Sequence, residues 1–209
     1  MSCGWRAAPD LWIGLAHGEP APSSAPRQRR IVDQRAAASA ERVARRASGL
    51  GVTDCTISRS HTQGVGAAAV GPSGVRLGVD LVSIHRVGER HAASILCPAE
   101  WAALESESAI RPALAWAIKE AAAKATRNPH RWFPDGLMIE RGPGAIVVWA
   151  AECRFLVDWI RFGSLLCVWV REEGRRAVPQ LPPGPSQRRT SLATRSAAGG
   201  SRLVSTMRS

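Results

Sequence analysis

The sequence predicts an α+β fold in which an antiparallel sheet packs with helices, and three features predict it. Four short apolar segments towards the C-terminal end, "LMIE", "AIVVWA", "CRFLVDWI" and "SLLCVWV", have Gly-Pro-Gly and Phe-Gly-Ser between some of them, the texture of antiparallel strands. Upstream, "VRLGVDLVSI" alternates Val75, Leu77, Val79 and Leu81 onto one face, with Arg76, Gly78 and Asp80 on the other. Between these regions Leu114, Ile118, Ala121 or Ala122, and Ala125 recur at helical spacing.

At 209 residues the chain fits one domain or two small related halves, with enough length for a real core. Residues 1 to about 30 are rich in Pro, Ala, Ser and Arg without a clear period, and are predicted to be loosely structured. Leu11 to Ala16 is apolar but too short for a secretion signal. Residues 34 to 47, "QRAAASAERVARRA", have helix-forming composition, and Gly49 and Gly51 end them. "TISRSH" and "GVGAAAV" are strand-prone, and "GPSG" leads from the latter into "VRLGVDLVSI", which predicts a hairpin. "CPAEWAALE" starts a helix, with Pro98 suited to its first turn and Glu100 to its positive end. The next helix runs from about Pro112 to Thr126 and stops at Asn128-Pro129. Three regions follow: residues 1–50, a poorly defined segment or divergent part of a first half; residues 51–172, the chemistry-bearing domain; and residues 173–209, a disordered basic tail.

Formal net charge is +11, which draws polyanions: nucleic acid, anionic lipid or phosphorylated small molecules. Much of that charge lies in Arg27 to Arg46 and after Arg171. It comes without a helix-turn-helix, zinc-finger or stacking-platform pattern, which argues against nucleic-acid binding as the main role. An arginine-rich nucleic-acid-binding protein is kept as an alternative. Five cysteines without a C-x-x-C pair suggest neither a disulfide framework nor a zinc cage, so a reducing cytoplasm is expected. No stretch approaches the length of a membrane span.

Of the 28 basic residues only Lys119 and Lys124 are lysine, either side of Glu120 in "WAIKEAAAK". Glu120 and Lys124 make a common stabilising pair four residues apart on a helix. That pair does not account for Lys119, on another face, nor for two positions that escaped the arginine bias. Trp116, Glu120 and Lys124 share one face. A strand carboxylate at Asp80 and a helix carboxylate at Glu120 would suit Mg²⁺, with waters and substrate phosphates completing its shell. The two ammonium groups beside it would neutralise a diphosphate, as phosphoryl-group chemistry requires. His85 and His91 lack a third ligand at useful spacing and are assigned solvent-facing positions.

"LGVDLVSI" followed by "WAIKEAAAK" resembles the paired signature of the 4′-phosphopantetheinyl transferase superfamily, which includes holo-acyl-carrier-protein synthases. Asp80 and Glu120, 40 residues apart, have a separation typical of that family. "ISRSHTQGVGAAAV" resembles the Ser-x-Ser-His segment of its longer class. The resemblance implies a pseudo-dimeric α+β fold with a divergent first half, or a self-pairing shorter chain, with monomer and homo-oligomer both open. It implies transfer of the phosphopantetheine arm of coenzyme A to a serine of an acyl- or peptidyl-carrier protein. Asp80 and Glu120 would be metal ligands and Lys124 would contact the diphosphate, supported by Lys119. Ser60 and His61 would meet the 3′-phosphate of coenzyme A. Glu120, or a water at the metal, would take the serine proton. Val82 stands where the longer class carries a second acid, and Arg59 where a smaller residue is usual. An inactive member that binds coenzyme A or a carrier protein is the alternative within the family.

Overall fold

The structure, a computed structural model, describes residues 2–18, 26–51, 53–127, 136–150 and 152–175. The predicted helix stop at Asn128-Pro129 and all but the first three residues of the predicted tail lie outside the described residues. In chain order the elements are β1 (Ser2–Ala8), β2 (Leu11–His17), α1 (Pro26–Ser48), β3 (Cys55–Thr62), β4 (Val65–Pro72), β5 (Leu77–Ser83), α2 (Glu89–Ile95), α3 (Pro98–Ala103), α4 (Arg111–Ala125), β6 (Leu137–Gly142), β7 (Ala145–Ala150), β8 (Cys153–Phe162) and β9 (Leu165–Arg175). They form an α+β protein with two antiparallel sheets, ordered β1-β2-β4-β3 and β5-β9-β8-β7-β6.

Side-chain alternation fixes four layers. Leu11, Ile13 and Leu15 of β2 and Val65, Ala67 and Ala69 of β4 meet Leu77, Val79 and Leu81 of β5 and Leu165, Cys167 and Trp169 of β9 in one core between the sheets. The opposite face of β9, Leu166, Val168 and Val170, packs with Val82 of β5 on the apolar surface of α4. On the outer face of the first sheet, Ala16 and Ala68 pack against Ala40 of α1.

Both long helices lie close to their sheets because glycine admits them. A Cβ on Gly66 would stand 2.2 Å from the Ala37 nitrogen in α1, and one on Gly78 would stand 1.9 Å from the Ala121 carbonyl oxygen in α4. Gly78 is the residue two before Asp80, so the approach of α4 to β5 is set beside the candidate carboxylate.

Two expectations are corrected. Residues 2–17, predicted to be loose, form the hairpin β1–β2, with partners running from Ser2↔Ala16 to Ala8↔Leu11. The signal was hidden because β2 is buried on both faces, between α1 and the second sheet, and so has no polar–apolar alternation. The predicted hairpin between "GVGAAAV" and "VRLGVDLVSI" does not form. Strand β4 already has β2 and β3 on its two edges, so the Gly-Pro-Ser-Gly turn carries the chain to the second sheet, where β5 pairs β9. The hairpin in this region is instead β3–β4, closed by Gln63 and Gly64 at φ of 52° and 75°, a two-residue turn of the left-handed kind. Helices α3 and α4 and strands β6 to β9 lie where the sequence predicts them, with β9 continuing to Arg175.

Candidate active site

The site lies where the edges of the two sheets meet. Strand β5 is an edge strand of its sheet and β3 an edge strand of the other. An edge leaves backbone N–H groups without ladder partners. Here serine side chains of β3 supply them: the Val79 N–H donates to Ser58 Oγ at 3.0 Å and the Leu81 N–H to Ser60 Oγ at 3.1 Å. A cleft of about 510 Å³ opens along this seam, lined in part by His61, Asp80, Val82, Arg86, Trp116 and Glu120.

Asp80 lies on the α4-facing side of β5 and is buried. Its Oδ1 accepts from Ser60 Oγ at 2.9 Å and from Lys124 Nζ at 2.7 Å. The Lys124 ammonium also donates to the Val79 carbonyl at 3.1 Å. Glu120 stands one turn earlier on α4. Its carboxyl is held above the ordinary carboxylate range, chiefly by burial, then by the negative charge of Asp80, with the Lys124 ammonium acting in the opposite direction. Asp80 thus takes the Lys124 ammonium directly, and Glu120 lines the same cleft. An oxygen-seeking divalent cation fits such a donor pair, since one or two carboxylates commonly suffice for magnesium. Among the described residues no group of three or more His, Cys, Asp or Glu side chains is placed to hold a metal ion.

His61 is at the cleft, exposed, with Nδ1 3.7 Å from Asp33 Oδ2 of α1. The other Asp33 oxygen accepts from the Gly64 N–H at 2.6 Å, which ties the aspartate to the β3–β4 turn. His91, expected only to face solvent, is exposed at the cleft wall with its ring 4.6 Å from that of Trp116. Arg59 turns outward to an ion pair with Glu41 of α1 at 2.5 Å.

The structure brings Ser60, His61, Asp80 and Glu120 to the cleft, with Lys124 on Asp80 beneath it. It does not bring Lys119, which is a correction to the predicted diphosphate role. Lys119 is 2% exposed, with Nζ 2.9 Å from Glu100 Oε1 and donating to the Ile95 carbonyl at 2.7 Å. Glu100 also accepts the Cys97 N–H at 2.8 Å, as a helix N-terminal capping residue does, and the Ile139 N–H at 3.0 Å. This buried cluster joins the end of α2, the start of α3, α4 and β6. The ammonium is spent on the interior because the 100° step from residue 119 to residue 120 turns it out of the Trp116–Glu120–Lys124 stripe.

Sequence reading missed the serine contacts to β5 and the Asp33–His61 pairing. A signal for the first was present: Ser58, Ser60 and Thr62 alternate on β3, and all three are buried, which marks a strand whose inward face is made of hydroxyls.

Two antiparallel sheets covered by helices, with an acidic pair at the meeting edges, make this an α+β protein whose architecture is consistent with a phosphopantetheinyl transferase-like fold. Residues 76–141 match the family model of the 4′-phosphopantetheinyl transferase superfamily, the family that the two motifs resemble. The matched segment contains Asp80, Lys119, Glu120 and Lys124, while Ser60 and His61 precede it. The superfamily is one of transferases. No curated protein matches the chain. Among the described residues no helix is long and apolar enough to cross a membrane.

Proposed function

We propose that the protein transfers the 4′-phosphopantetheine group of coenzyme A to a serine of an acyl- or peptidyl-carrier protein in the cytoplasm. The observation that carries this reading is the convergence of Asp80 and Glu120, from separate elements, at one polar cleft inside a segment that matches the superfamily. Asp80 and Glu120 would hold Mg²⁺, which when bound neutralises charge on the diphosphate oxygens. In the reaction the serine oxygen forms a bond to the β-phosphorus, the bond to the leaving adenosine 3′,5′-bisphosphate breaks, and the serine proton goes to a base. Glu120, or a water at the metal, would take that proton. Lys124 holds Asp80 and supplies positive charge beneath the diphosphate. His61 at the mouth of the cleft is placed for the anionic end of coenzyme A.

A second reading, a member that binds coenzyme A or a carrier protein without transfer, is favoured by one feature. Val82 lines the cleft with an apolar side chain where a further acid would complete the acidic set. One assay separates the two. The protein is incubated with coenzyme A, Mg²⁺ and a panel of apo carrier proteins, and the carriers are weighed by mass spectrometry. Mass gain by phosphopantetheine on a carrier, lost in Glu120→Gln, is the expected result. Binding of coenzyme A with no mass gain on any carrier would establish the idle form, and undiminished transfer by Glu120→Gln would remove that residue from the reaction.

A further inference from the structure

We infer that Ser60 is the positioning residue of Asp80, carried on the opposite sheet, and that it fixes which carboxylate oxygen the cleft receives. The inference rests on the cation reading given above. Ser60 has one hydroxyl proton, and the structure places it on Asp80 Oδ1 at 2.9 Å while the hydroxyl oxygen accepts the Leu81 N–H at 3.1 Å. Lys124 adds a second donor to the same Oδ1 at 2.7 Å. Oδ2 takes no hydrogen bond from a described side chain or backbone group, so it is the oxygen left for a cation. A hydroxyl committed in this way has no second proton for a phosphate, so its contribution at the cleft is made through Asp80.

The arrangement also explains why the site needs both sheets. Asp80 belongs to β5, but the group that sets its rotation belongs to β3. Ser58 provides an internal control. It makes the same kind of contact, accepting the Val79 N–H at 3.0 Å, yet touches no carboxylate. Loss of Ser58 weakens the seam between the sheets and leaves the Asp80 carboxylate with both of its donors.

The test is a titration with Mn²⁺, followed through the paramagnetic resonance of the free ion, on the full chain without coenzyme A. Ser60→Ala is expected to bind Mn²⁺ about 10- to 100-fold more weakly than the wild type, the usual effect of removing a group that orients a metal ligand. Ser60→Thr, which keeps the hydroxyl, restores most of that affinity, and Ser58→Ala leaves it unchanged. Wild-type affinity in Ser60→Ala, or an equal loss in Ser58→Ala, overturns the inference and leaves the cation reading standing. A wild type that binds no Mn²⁺, or an Asp80→Asn variant that binds it as tightly as the wild type, overturns the cation reading itself. Should Ser60→Ala not fold, Ser60→Cys preserves the volume with a weaker donor. It is expected to show the same direction of loss, and undiminished affinity in it overturns the inference.

Discussion

Helix α4 supplies the lysines of two ammonium–carboxylate pairs, five residues apart, and the surroundings of the pairs are opposite. Lys119 and Glu100 are sealed in the interior, with side chains 2% and 4% exposed. Lys124 and Asp80 sit at the base of a cleft, with the lysine side chain 30% exposed. In the interior pair each charge has several partners: the lysine also meets the Ile95 carbonyl, and the carboxylate two backbone N–H groups. In the cleft pair the ammonium donates to Asp80 and to the Val79 carbonyl, and the Glu120 carboxyl is held above its ordinary range by burial and by the Asp80 charge. The first arrangement holds segments together. The second leaves negative charge beside open space, which is how a site differs from a strut. The arginine bias of the chain yields at both positions for related reasons. A compact ammonium fits between a carbonyl and a carboxylate where the wider guanidinium fork would not.

Removing each lysine is the most forceful way to break this contrast. Lys119→Ala leaves the Glu100 carboxylate buried without its cation, and a loss of about 3–5 kcal/mol in folding stability is expected. Lys124→Ala removes a charged hydrogen bond from a half-open site, and the expected loss is smaller, about 1.5–3 kcal/mol. Denaturant titrations of both variants measure the two values. If Lys119→Ala unfolds no more easily than Lys124→Ala, the interior pair is not the strut described here. Transfer activity sharpens the comparison in the other direction, because folded Lys124→Ala is expected to lose transfer.

A smaller effect is expected at the glycine that sets the helix against the strand. In Gly78→Ala the added methyl meets the Ala121 carbonyl oxygen at 1.9 Å, and neither backbone yields without moving α4 off β5. A loss of about 1–3 kcal/mol is expected from such overpacking. Because Glu120 and Lys124 ride on α4 and Asp80 on β5, the shift widens the acidic pair, and cation affinity should fall in step with stability. Retained affinity with lowered stability would show that the cleft tolerates a displaced helix.

Much of this geometry was legible in the sequence, and what was not has physical reasons. The stripe Trp116, Glu120, Lys124 follows from helical spacing alone, and beyond Arg111 and Pro112 in the first turn these are the half-buried positions in a helix otherwise covered by neighbours. The inward face of Leu77, Val79 and Leu81 follows from strand alternation. Strand β2 was missed because a doubly covered strand with Gly14 and Ala16 on one face shows no period. The β4–β5 hairpin was wrongly expected because a Gly-Pro-Ser-Gly turn specifies a change of direction and not which strand is met after it. Lys119 was misplaced because its partner Glu100 lies 19 residues away, and no local spacing reveals a contact of that range.

The gentlest test compares the two pairs through pH. Glu120 in the folded protein releases its proton above the ordinary value of 4.5, for the reasons of burial and Asp80 given above. Between those two values the folded state holds more protons than the unfolded one, so stability falls as pH rises through the window and stays lower beyond it. Glu120→Gln does not ionise and escapes that fall. Its melting temperature should match the wild type's at pH below the ordinary carboxylate value and exceed it increasingly towards neutrality. Added Mg²⁺ should raise the wild type's melting temperature and narrow the gap, by favouring the ionised carboxyl that the cation would engage. Glu100→Gln supplies the contrast: it loses its buried ionic partner and is less stable than the wild type at neutral pH. Melting curves of the three proteins from about pH 4 to about pH 8, with and without Mg²⁺, decide the point. A Glu120→Gln variant no more stable than the wild type at neutral pH would mean that neither burial nor the Asp80 charge disfavours the ionised Glu120 carboxyl at the cleft.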